Sequence, residues 1–355
     1  MLENTNDHVK PKRIGWVDYA KFIGIGLVVF GHLETHPYSS NVIYSFHMPL
    51  FFFLSGLMFS FKKHPNYKEF FISRFKQLIV PYLFFNLITY VLWLWFVKNI
   101  DDLAVDPPYY KPFLGIFYGN SSDTYLIHCL ASWFLICLFV VENIYYLVYR
   151  NLKGNLKYLV LAGFVLLGRL DLSYIDVRLP WSIDVATVAI VFYISAGLLK
   201  PLIFKIVNLK RLHLWLISAA AFCVVLLIAP FDLVDMSESK YQNFALFFIG
   251  GFSGILFTIS LSRLLELKIG SLRIVTFIAT NTIVIIVFNF IAIYMIKYCY
   301  LKIFDFNPVH LHGHIPNFLI TLCVFVILVP VMNFTNTYIP FSIGRSVRRP
   351  SDKIK

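Results

Sequence analysis

The chain is organised as long apolar stretches separated by short polar segments. A transmembrane helix needs about 20 mostly apolar residues to cross the hydrocarbon core, and lipid offers no partner to an unpaired backbone group. Continuous apolar stretches of this length must therefore be helical, and we predict an all-α, polytopic membrane bundle of about ten transmembrane helices. The predicted spans cover residues 15–33, 41–61, 78–97, 124–149, 157–172, 183–204, 212–230, 242–262, 274–300 and 316–337.

The domain organisation follows from the same pattern. Apolar stretches run from one end to the other, so we predict a single membrane domain over residues 1–337. Residues 1–13 are polar and then basic, and they lack the apolar core of a cleaved signal peptide, which predicts a cytoplasmic N-terminal tail. A basic cytoplasmic tail, 338–355, follows the domain. Within the membrane domain, the fifth span, 157–172, is short and is interrupted by Arg169 and Asp171.

Composition supports a membrane location. Of the 355 residues, 59% are hydrophobic and only 14% are charged, whereas soluble domains carry roughly a quarter charged residues. The surplus apolar surface must face lipid, so the lipid bilayer is the first predicted partner.

The net charge of +12 would also suit a nucleic-acid-binding protein, but its distribution indicates topology instead. Cytoplasmic loops of membrane proteins are enriched in Lys and Arg. With the N-terminus inside, most of the 31 basic residues fall on the side of both tails, which predicts an N-in, C-in topology and no nucleic-acid partner. These residues lie in segments 10–13, 62–76, 150–157, 200–211, 263–273 and 345–355.

Polar side chains within the first span are the first candidates for function, because burying them in a bilayer is costly. Asp18 and Lys21 are three residues apart near the cytoplasmic end, where a local ion pair with an interfacial anchor would explain them equally well. His32 follows Lys21 by eleven residues, which is three helical turns or about 16 Å. Lys21 and His32 are therefore expected on one face of the helix.

The second span adds His47, followed closely by Pro49. The proline should bend or loosen the helix and free a carbonyl near His47. A hydrogen-bonded core histidine would explain His47 alone. Two histidines at matching depth on consecutive antiparallel spans, however, favour a shared pocket. We count His32, His47 and Asp18 as candidate catalytic residues.

Several motifs together resemble a known family. DYAKFIGIGLVVFGH (18–32), FHMPLFFFLSG (46–56) and SRFKQLIVPY (73–82), with further echoes in SWFL (132–135) and LPWSIDVATVAIVFYISAG (179–197), are similar to the family-3 membrane acyltransferases. The likeness is to the short form without a soluble domain, which includes acetyltransferases of bacterial surface sugars. It implies transfer of an acyl group, usually acetyl from cytoplasmic acetyl-CoA, to a sugar hydroxyl at the bacterial inner membrane.

The resemblance also implies roles for individual residues. The family has a motif in which a basic residue is followed by ten residues and then a histidine. This motif falls on Lys21 and His32, although most members carry Arg at the first position. Its Arg-x-x-Arg motif falls on Arg74 and Gln77, so the second arginine is absent and Lys76 could compensate from the next position. A lysine cannot make the bidentate fork to phosphate, but it remains a usable point charge.

The expected mechanism combines these positions. Lys21, Arg74 and Lys76 would hold the phosphates of an acyl-CoA at the cytoplasmic surface, and its thioester would reach His32. That imidazole could act as general base on an acceptor hydroxyl or form an acyl-histidine intermediate.

Substrate-side positions follow from the same comparison. Asn289 stands where relatives carry a late histidine, and Asn289, Trp133 or His47 could supply donors to the oxyanion. The predicted acceptor is an envelope glycan or its lipid-linked precursor.

No metal is predicted. Alternating histidines occur at His310, His312 and His314, but no Cys or patterned carboxylate lies nearby. Gly250 and Gly254 form a GxxxG pair, which is typical of close helix packing.

Two other functions would fit a polytopic chain. A secondary transporter or flippase for an envelope glycan or small anion is the alternative, but such proteins often show inverted repeats, and no matched halves are visible here. A non-catalytic scaffold would give no reason to bury charged and imidazole groups in the first two spans.

Overall fold

The computed structural model describes residues 13–33, 35–98, 107–121, 124–174, 178–304 and 313–345. The first half of this structure is built from helices. They are α1 (Gly15–Gly31), α2 (Pro37–Tyr44), α3 (His47–Met58), α4 (Tyr67–Arg74), α5 (Val80–Leu92), α6 (Tyr110–Tyr118) and α7 (Trp133–Tyr149). A π-helical turn, Phe75–Ile79, joins α4 to α5, and a second one, Trp93–Val97, ends α5.

The second half is also helical. It comprises α8 (Leu156–Tyr174), α9 (Ile183–Ile206), α10 (Arg211–Ile228), α11 (Phe244–Ile269), α12 (Arg273–Thr280), α13 (Thr282–Phe304) and α14 (His314–Tyr338). Among the described residues, extended structure is limited to a short antiparallel hairpin of β1 (Val234–Asp235) and β2 (Lys240–Tyr241). The predicted all-α polytopic fold is confirmed.

Eight helical runs in the described part of the chain are long and apolar enough to cross a membrane. They coincide with eight of the ten predicted spans. The run that matches the third predicted span, 78–97, begins earlier, at Tyr67. Helix α1 occupies the first predicted span but has 17 residues, or about 25 Å of length. Helix α8 occupies the fifth and carries Lys157 and Arg169. The remaining two predicted spans are therefore helices that are shorter or more polar than a regular crossing.

The loops predicted to share one side of the membrane contact one another. Arg150 donates to the carbonyl of Pro65, and the Arg263 side chain donates to the carbonyl of Val207 at 2.9 Å. At the other end of the bundle, Asn41 donates to the carbonyl of Ala229 at 3.0 Å. The basic segments therefore gather at one end, as the charge pattern predicts, and the first-span histidine lies at the opposite end. We refer to these as the basic end and the histidine end.

Helices α3 and α9 form the centre of the bundle. α3 packs on α9, α11 and α1, and most residues of both central helices are buried. Helix α10, by contrast, packs mainly on α11 and exposes Leu212, Leu216 and Leu227. Exposed leucines along a helix of this composition indicate a lipid-facing surface.

The second predicted span contains the expected break. Helix α2 ends at Tyr44, and α3 begins at His47 after a turn at Ser45 and Phe46. Ser45 is four residues before Pro49, whose ring cannot donate to the Ser45 carbonyl. The GxxxG pair of α11 lies against this turn: a Cβ on Gly250 would contact the Ser45 Cβ at 3.5 Å, and one on Gly254 would overlap the Phe46 side chain. The predicted role in close packing is therefore confirmed.

We predict that Gly254→Ala destabilises the protein. The added methyl would overlap Phe46 at its Cβ and Cγ, which cannot move without the backbone of the α2–α3 turn, and overpacking of this kind costs typically 1–3 kcal/mol. Thermal unfolding of the purified protein in detergent should show a lower midpoint. Gly163→Ala in α8 is the matched control because nothing lies within 4 Å of its added Cβ. Equal midpoints for the two variants would contradict the packing argument.

Candidate functional site

A cavity of about 280 Å³ lies at the histidine end of the bundle, where α1, the α2–α3 turn, the start of α7 and α13 meet two loops. It brings together His32, His47 and Trp133, three of the predicted site residues. The wall is completed by Val28, Gly31, Tyr44, Met48, Ser121, Leu130, Ala131, Asp235, Met236, Ser237, Glu238 and Phe290.

His32 is held at the end of α1 by a hydrogen bond between its Nδ1 and Asn289 Oδ1 at 2.8 Å. The fully buried Asn289 amide nitrogen donates to two carbonyls of its own helix, Ile285 at 3.0 Å and Ile286 at 2.6 Å. Its oxygen can therefore only accept, so His32 Nδ1 must carry the proton. In the neutral ring Nε2 then holds the lone pair, in the tautomer that a general base requires.

His47 is oriented by the break in its span. Its Nδ1 lies 2.8 Å from the carbonyl of Ile43, which a continuous helix would have bonded to the His47 backbone. A carbonyl only accepts, so Nδ1 carries the proton and Nε2 of the neutral ring is an acceptor. The Tyr44 ring packs edge-on against His47 at 5.0 Å between centroids. A carbonyl next to the broken turn thus fixes the tautomer of His47.

Of the three predicted oxyanion donors, Trp133 alone keeps a suitable hydrogen. The Asn289 amide hydrogens are used by its own helix, and neutral His47 donates to Ile43. Trp133 begins α7, lines the cavity and packs against Phe52 at 6.5 Å between ring centroids. An indole N–H is a donor only, which suits a developing negative charge.

Asp18 lies at the other end of α1, so the structure does not join it to the predicted catalytic histidines. Fourteen residues separate it from His32, which is about 21 Å along a helix. Its carboxylate pairs with Arg13, at 2.5 Å from Nε and 3.0 Å from Nη2, and not with Lys21 as one interpretation of the sequence suggested. Thr276 also donates to it at 3.4 Å. Asp18 therefore belongs to the basic end, as its position near the cytoplasmic end of the first span predicted, and it lies apart from the other two candidate catalytic residues.

Lys21, three residues further along α1, is half-buried on the face that also carries His32. The cavity extends along that face as far as Val28. Seven residues separate Val28 from Lys21, or about 10 Å along the helix. Ile25, between them, is fully buried. The predicted cation and imidazole therefore share a helix face, with a packed apolar turn between them.

Arg74 lies in a cluster of its own. Its Nε is 3.1 Å from the buried carboxylate of Glu142, and its Nη1 donates to Gln77 at 2.7 Å. Its guanidinium lies 5.7 Å from the Phe70 ring centroid, and Tyr193 donates to the other Glu142 oxygen at 3.4 Å. Gln77, which replaces the family's second arginine, thus supports the first. The guanidinium is already paired, which weakens its predicted role in binding phosphate.

Lys76 is exposed on the π-helical turn after α4. Its side chain is thus available at the basic end, as the prediction requires.

Arg345 is a basic-end residue that the sequence indicated only as part of a topological tail. It donates to the carbonyl of Thr280 at 2.8 Å and to Asn336, which in turn donates to Asn281 at 3.0 Å. Burial and the positive charge of Arg13 lower the pKa of Arg345. Arg345 and Arg13 are therefore close enough to form one positive surface beside α1.

The sequence also gave no indication of the hairpin that covers the cavity. β1 and β2 are joined by a turn, Met236–Glu238, and this turn together with Asp235 lines the cavity. Asp235 Oδ1 accepts from the backbone N–H groups of Ser237 at 2.9 Å and Glu238 at 3.3 Å. Ser121 donates to the Ser237 carbonyl at 3.1 Å. We call residues 235–238 the roof turn.

A second histidine–amide pair lies outside the cavity lining and was not singled out in the sequence. Nε2 of buried His128 is 3.1 Å from Asn86 Oδ1, and the Asn86 amide donates to the Tyr82 carbonyl at 2.8 Å. Ser132 donates to the same Asn86 oxygen at 3.1 Å. The pair connects α5 to the start of α7, which carries Trp133.

The described residues contain no group of three His, Cys, Asp or Glu side chains that could hold a metal ion. His310 and His312 of the alternating histidine motif lie outside the described residues, as do most of both predicted tails.

Comparison with known proteins adds the family. The model of the acyltransferase domain family matches residues 14–334, which include every residue that lines the cavity. A search of curated proteins found no match, and a search of solved structures found none either. The resemblance visible in the first 200 residues is thereby confirmed and extends over nearly the whole chain.

We predict that Asn289→Leu lowers the rate of acyl transfer by about 10²-fold or more, because His32 loses the partner that fixes its tautomer. The Michaelis constant for acyl-CoA should change little, and Asn289→Asp should retain more activity because a carboxylate still accepts from Nδ1. Incorporation of label from radioactive acetyl-CoA into membranes measures both. Asn208→Leu is the control, since the exposed Asn208 also donates to its own helix, at 2.8 Å from Phe204. Full activity in Asn289→Leu would exclude the positioning role.

We predict that Arg74→Leu lowers the thermal midpoint strongly, since it leaves Glu142 buried and unpaired, a change that costs roughly 3–5 kcal/mol. Arg74→Leu with Glu142→Gln should recover most of the loss. Titration of acetyl-CoA on the double variant then separates the two roles of Arg74. A Michaelis constant that stays raised in the stable double variant would restore Arg74 to the donor site.

Proposed function

Because the chain belongs to the acyltransferase domain family and is thus a membrane acyltransferase, we propose that it acylates a hydroxyl of a cell-envelope glycan or of its lipid-linked precursor. We propose acetyl as the acyl group and cytoplasmic acyl-CoA as its donor. The location is the inner membrane of a bacterium, with both ends of the chain in the cytoplasm. His32 is the general base.

The observation that supports this proposal most directly is the His32–Asn289 pair. Asn289 can only accept from His32 Nδ1, so the lone pair of the neutral ring lies on Nε2, and the ring lines a cavity. Within the described structure, Nε2 of His32 has no hydrogen bond to the protein. A positioned base beside a space for substrate is the arrangement that hydroxyl activation requires.

The reaction can be written through these groups. The acceptor hydroxyl donates its proton to His32 Nε2 while its oxygen attacks the thioester carbonyl, and the C–O bond forms. The Trp133 indole N–H stabilises the oxyanion of the tetrahedral intermediate. The intermediate then expels the CoA sulfur as the C–S bond breaks, and the imidazolium returns its proton to the thiolate. His47 Nε2 accepts a hydrogen bond from the acceptor and so orients it.

The anionic nucleotide of the acyl-CoA donor would bind at the basic end of the bundle. Phosphates would be held there by Lys21, with exposed Lys76 at the periphery. Arg13 and Arg345, whose guanidinium groups already have protein partners, would add positive charge nearby. Arg74 contributes mainly through its pair with Glu142. The uncharged pantetheine arm would then cross the apolar turn between Lys21 and Val28. Only its thioester needs to enter the cavity.

We expect His32→Ala to lower acyl transfer by at least about 10²-fold at unchanged abundance in the membrane, because no general base remains at that position. His213→Ala is the control, since His213 is exposed at the start of α10. Label from radioactive acetyl-CoA is measured in the envelope glycan fraction, and release of the CoA thiol is measured in parallel. Retained transfer in His32→Ala would refute the assignment.

The same assay tests the alternative chemistry. An acyl-histidine route would leave label on the protein when acceptor is withheld and the reaction is quenched with denaturant. If label stays bound to the protein only in chains that contain His32, the reaction proceeds through an acyl-histidine intermediate and not through the general-base step. Direct transfer predicts no such label.

A further inference from the structure

The roof turn is the part of the cavity that the acyl transfer described above does not use. It lies over the imidazoles on the side away from the basic end, and its four residues line the cavity continuously. The roof is also fixed: one oxygen of Asp235 accepts two backbone N–H groups and the Ser237 hydroxyl, and Ser121 ties Ser237 to the α6–α7 connection.

The fixed roof leaves carboxylate oxygens without a described donor. All three described hydrogen bonds to the Asp235 side chain fall on Oδ1, so within the described structure Oδ2 is left for a further donor. Glu238 contacts Lys240 only at 3.8 Å, and that lysine is 64% exposed. Below the roof, the ring of His47 is 95% buried and turns Nε2, which has no described hydrogen bond, towards the same space.

Charge in the cavity has a single sign. Asp235 and Glu238 line it, and none of the described lining residues is Lys or Arg. Asp235 lines the same cavity as the His32 ring and Tyr44. Vicinal hydroxyls of a sugar are good donors to carboxylates and neutral imidazole nitrogens, whereas a like charge placed here would be repelled.

We propose that the roof turn is the acceptor subsite, and that the carboxylates of Asp235 and Glu238 select an uncharged polyhydroxy ring. An acceptor that carries a carboxylate or phosphate on the ring being modified is excluded. This inference rests on the proposed function for the identity of the reaction, and it adds the chemical class of the acceptor. Asp235 and Glu238 are specificity-determining residues and leave the proton transfer to His32.

The charge of the cavity can be measured without any turnover. Ala131→Cys places a thiol on the cavity wall in a chain whose exposed Cys223, Cys299 and Cys323 are replaced by serine. Two methanethiosulfonate reagents of similar size, one cationic and one anionic, are used to modify this thiol, and the ratio of their reaction rates is measured. Dividing it by the ratio for the free thiol mercaptoethanol corrects for the intrinsic reactivity of the two reagents. We expect the cation to be favoured about tenfold or more. A ratio near one would overturn the proposal.

Variants of the roof then identify the source of the charge. Asp235→Asn keeps the side-chain oxygen that accepts in the turn, and Glu238→Gln keeps the backbone N–H that donates to it. Together they remove the charge and should bring the ratio close to one. Glu69→Gln, an exposed acid on α4, is the control and should leave it unchanged. A ratio that persists in the double variant would assign the charge elsewhere and refute the role of the roof turn.

Transfer to a matched pair of acceptors tests the consequence for substrates. Methyl glucuronamide and methyl glucuronide carry the same ring hydroxyls and differ only by an amide in place of a carboxylate, and both are offered with radioactive acetyl-CoA. We expect transfer to the uncharged amide at a rate at least about tenfold higher, and a reduced difference in the double variant. Equal rates for both sugars would overturn the proposal. Transfer to neither would count against the sugar acceptor of the proposed function, and the reagent ratio then decides the roof turn by itself.

Discussion

The functional site depends on one hydrogen bond, between Nδ1 of His32 and Oδ1 of Asn289. Within an apolar bundle a polar group without a partner is costly, and the amide of Asn289 meets that demand by donating twice to its own helix. This leaves a single acceptor atom at a fixed position. Because an amide carries no charge, it holds the histidine in one tautomer without placing a carboxylate beside it. The ring therefore presents Nε2 to the cavity in its neutral, basic form.

Breaks in the helices occur at both ends of the bundle, and one of them orients His47. A regular helix through the second span would bond the carbonyl of Ile43 to the His47 backbone, whereas at the turn this carbonyl accepts from the Phe46 N–H at 3.3 Å and from His47 Nδ1 at 2.8 Å. A second break, at Asn281, separates α12 from α13. There the Asn281 side chain donates to the Phe277 carbonyl at 2.7 Å and accepts from Asn336. Each irregularity is thus satisfied by a side chain, as the absence of water in a bilayer requires.

The sequence predicted those features that depend on local composition. Long apolar stretches located the helices, and the spacing of Lys21 and His32 placed both on one face, since helical periodicity is a local property. Pro49 likewise marked the broken span. The Arg74–Glu142 pair joins positions 68 residues apart along the chain, and the Arg13–Asp18 pair replaced the expected one with Lys21. Partner choice among several possible ions depends on packing, which no local pattern specifies.

The roof turn shows the same limit more clearly. In the sequence, residues 232–243 form a short acidic connection between two spans. Whether they line a cavity depends on which other loops meet at that end of the bundle. Two of the predicted oxyanion donors also failed for a structural reason: the hydrogens of Asn289 and His47 are bonded elsewhere. Hydrogen-bond direction follows from the neighbours of a side chain, so residue type alone could not separate Trp133 from these two.

The distribution of charge along α1 explains how the proposed reaction could be divided between two sides of a membrane. Arg13, Lys21 and Arg345 gather at one end, whereas the charged side chains among the described lining residues of the cavity at the other end are acidic. An anionic nucleotide would be attracted to the first and repelled from the second. The apolar turn around Ile25 separates them, so an uncharged thioester arm is the part of an acyl-CoA that could pass with least cost. Opposite potentials at the two ends would thus keep donor and acceptor apart except at His32.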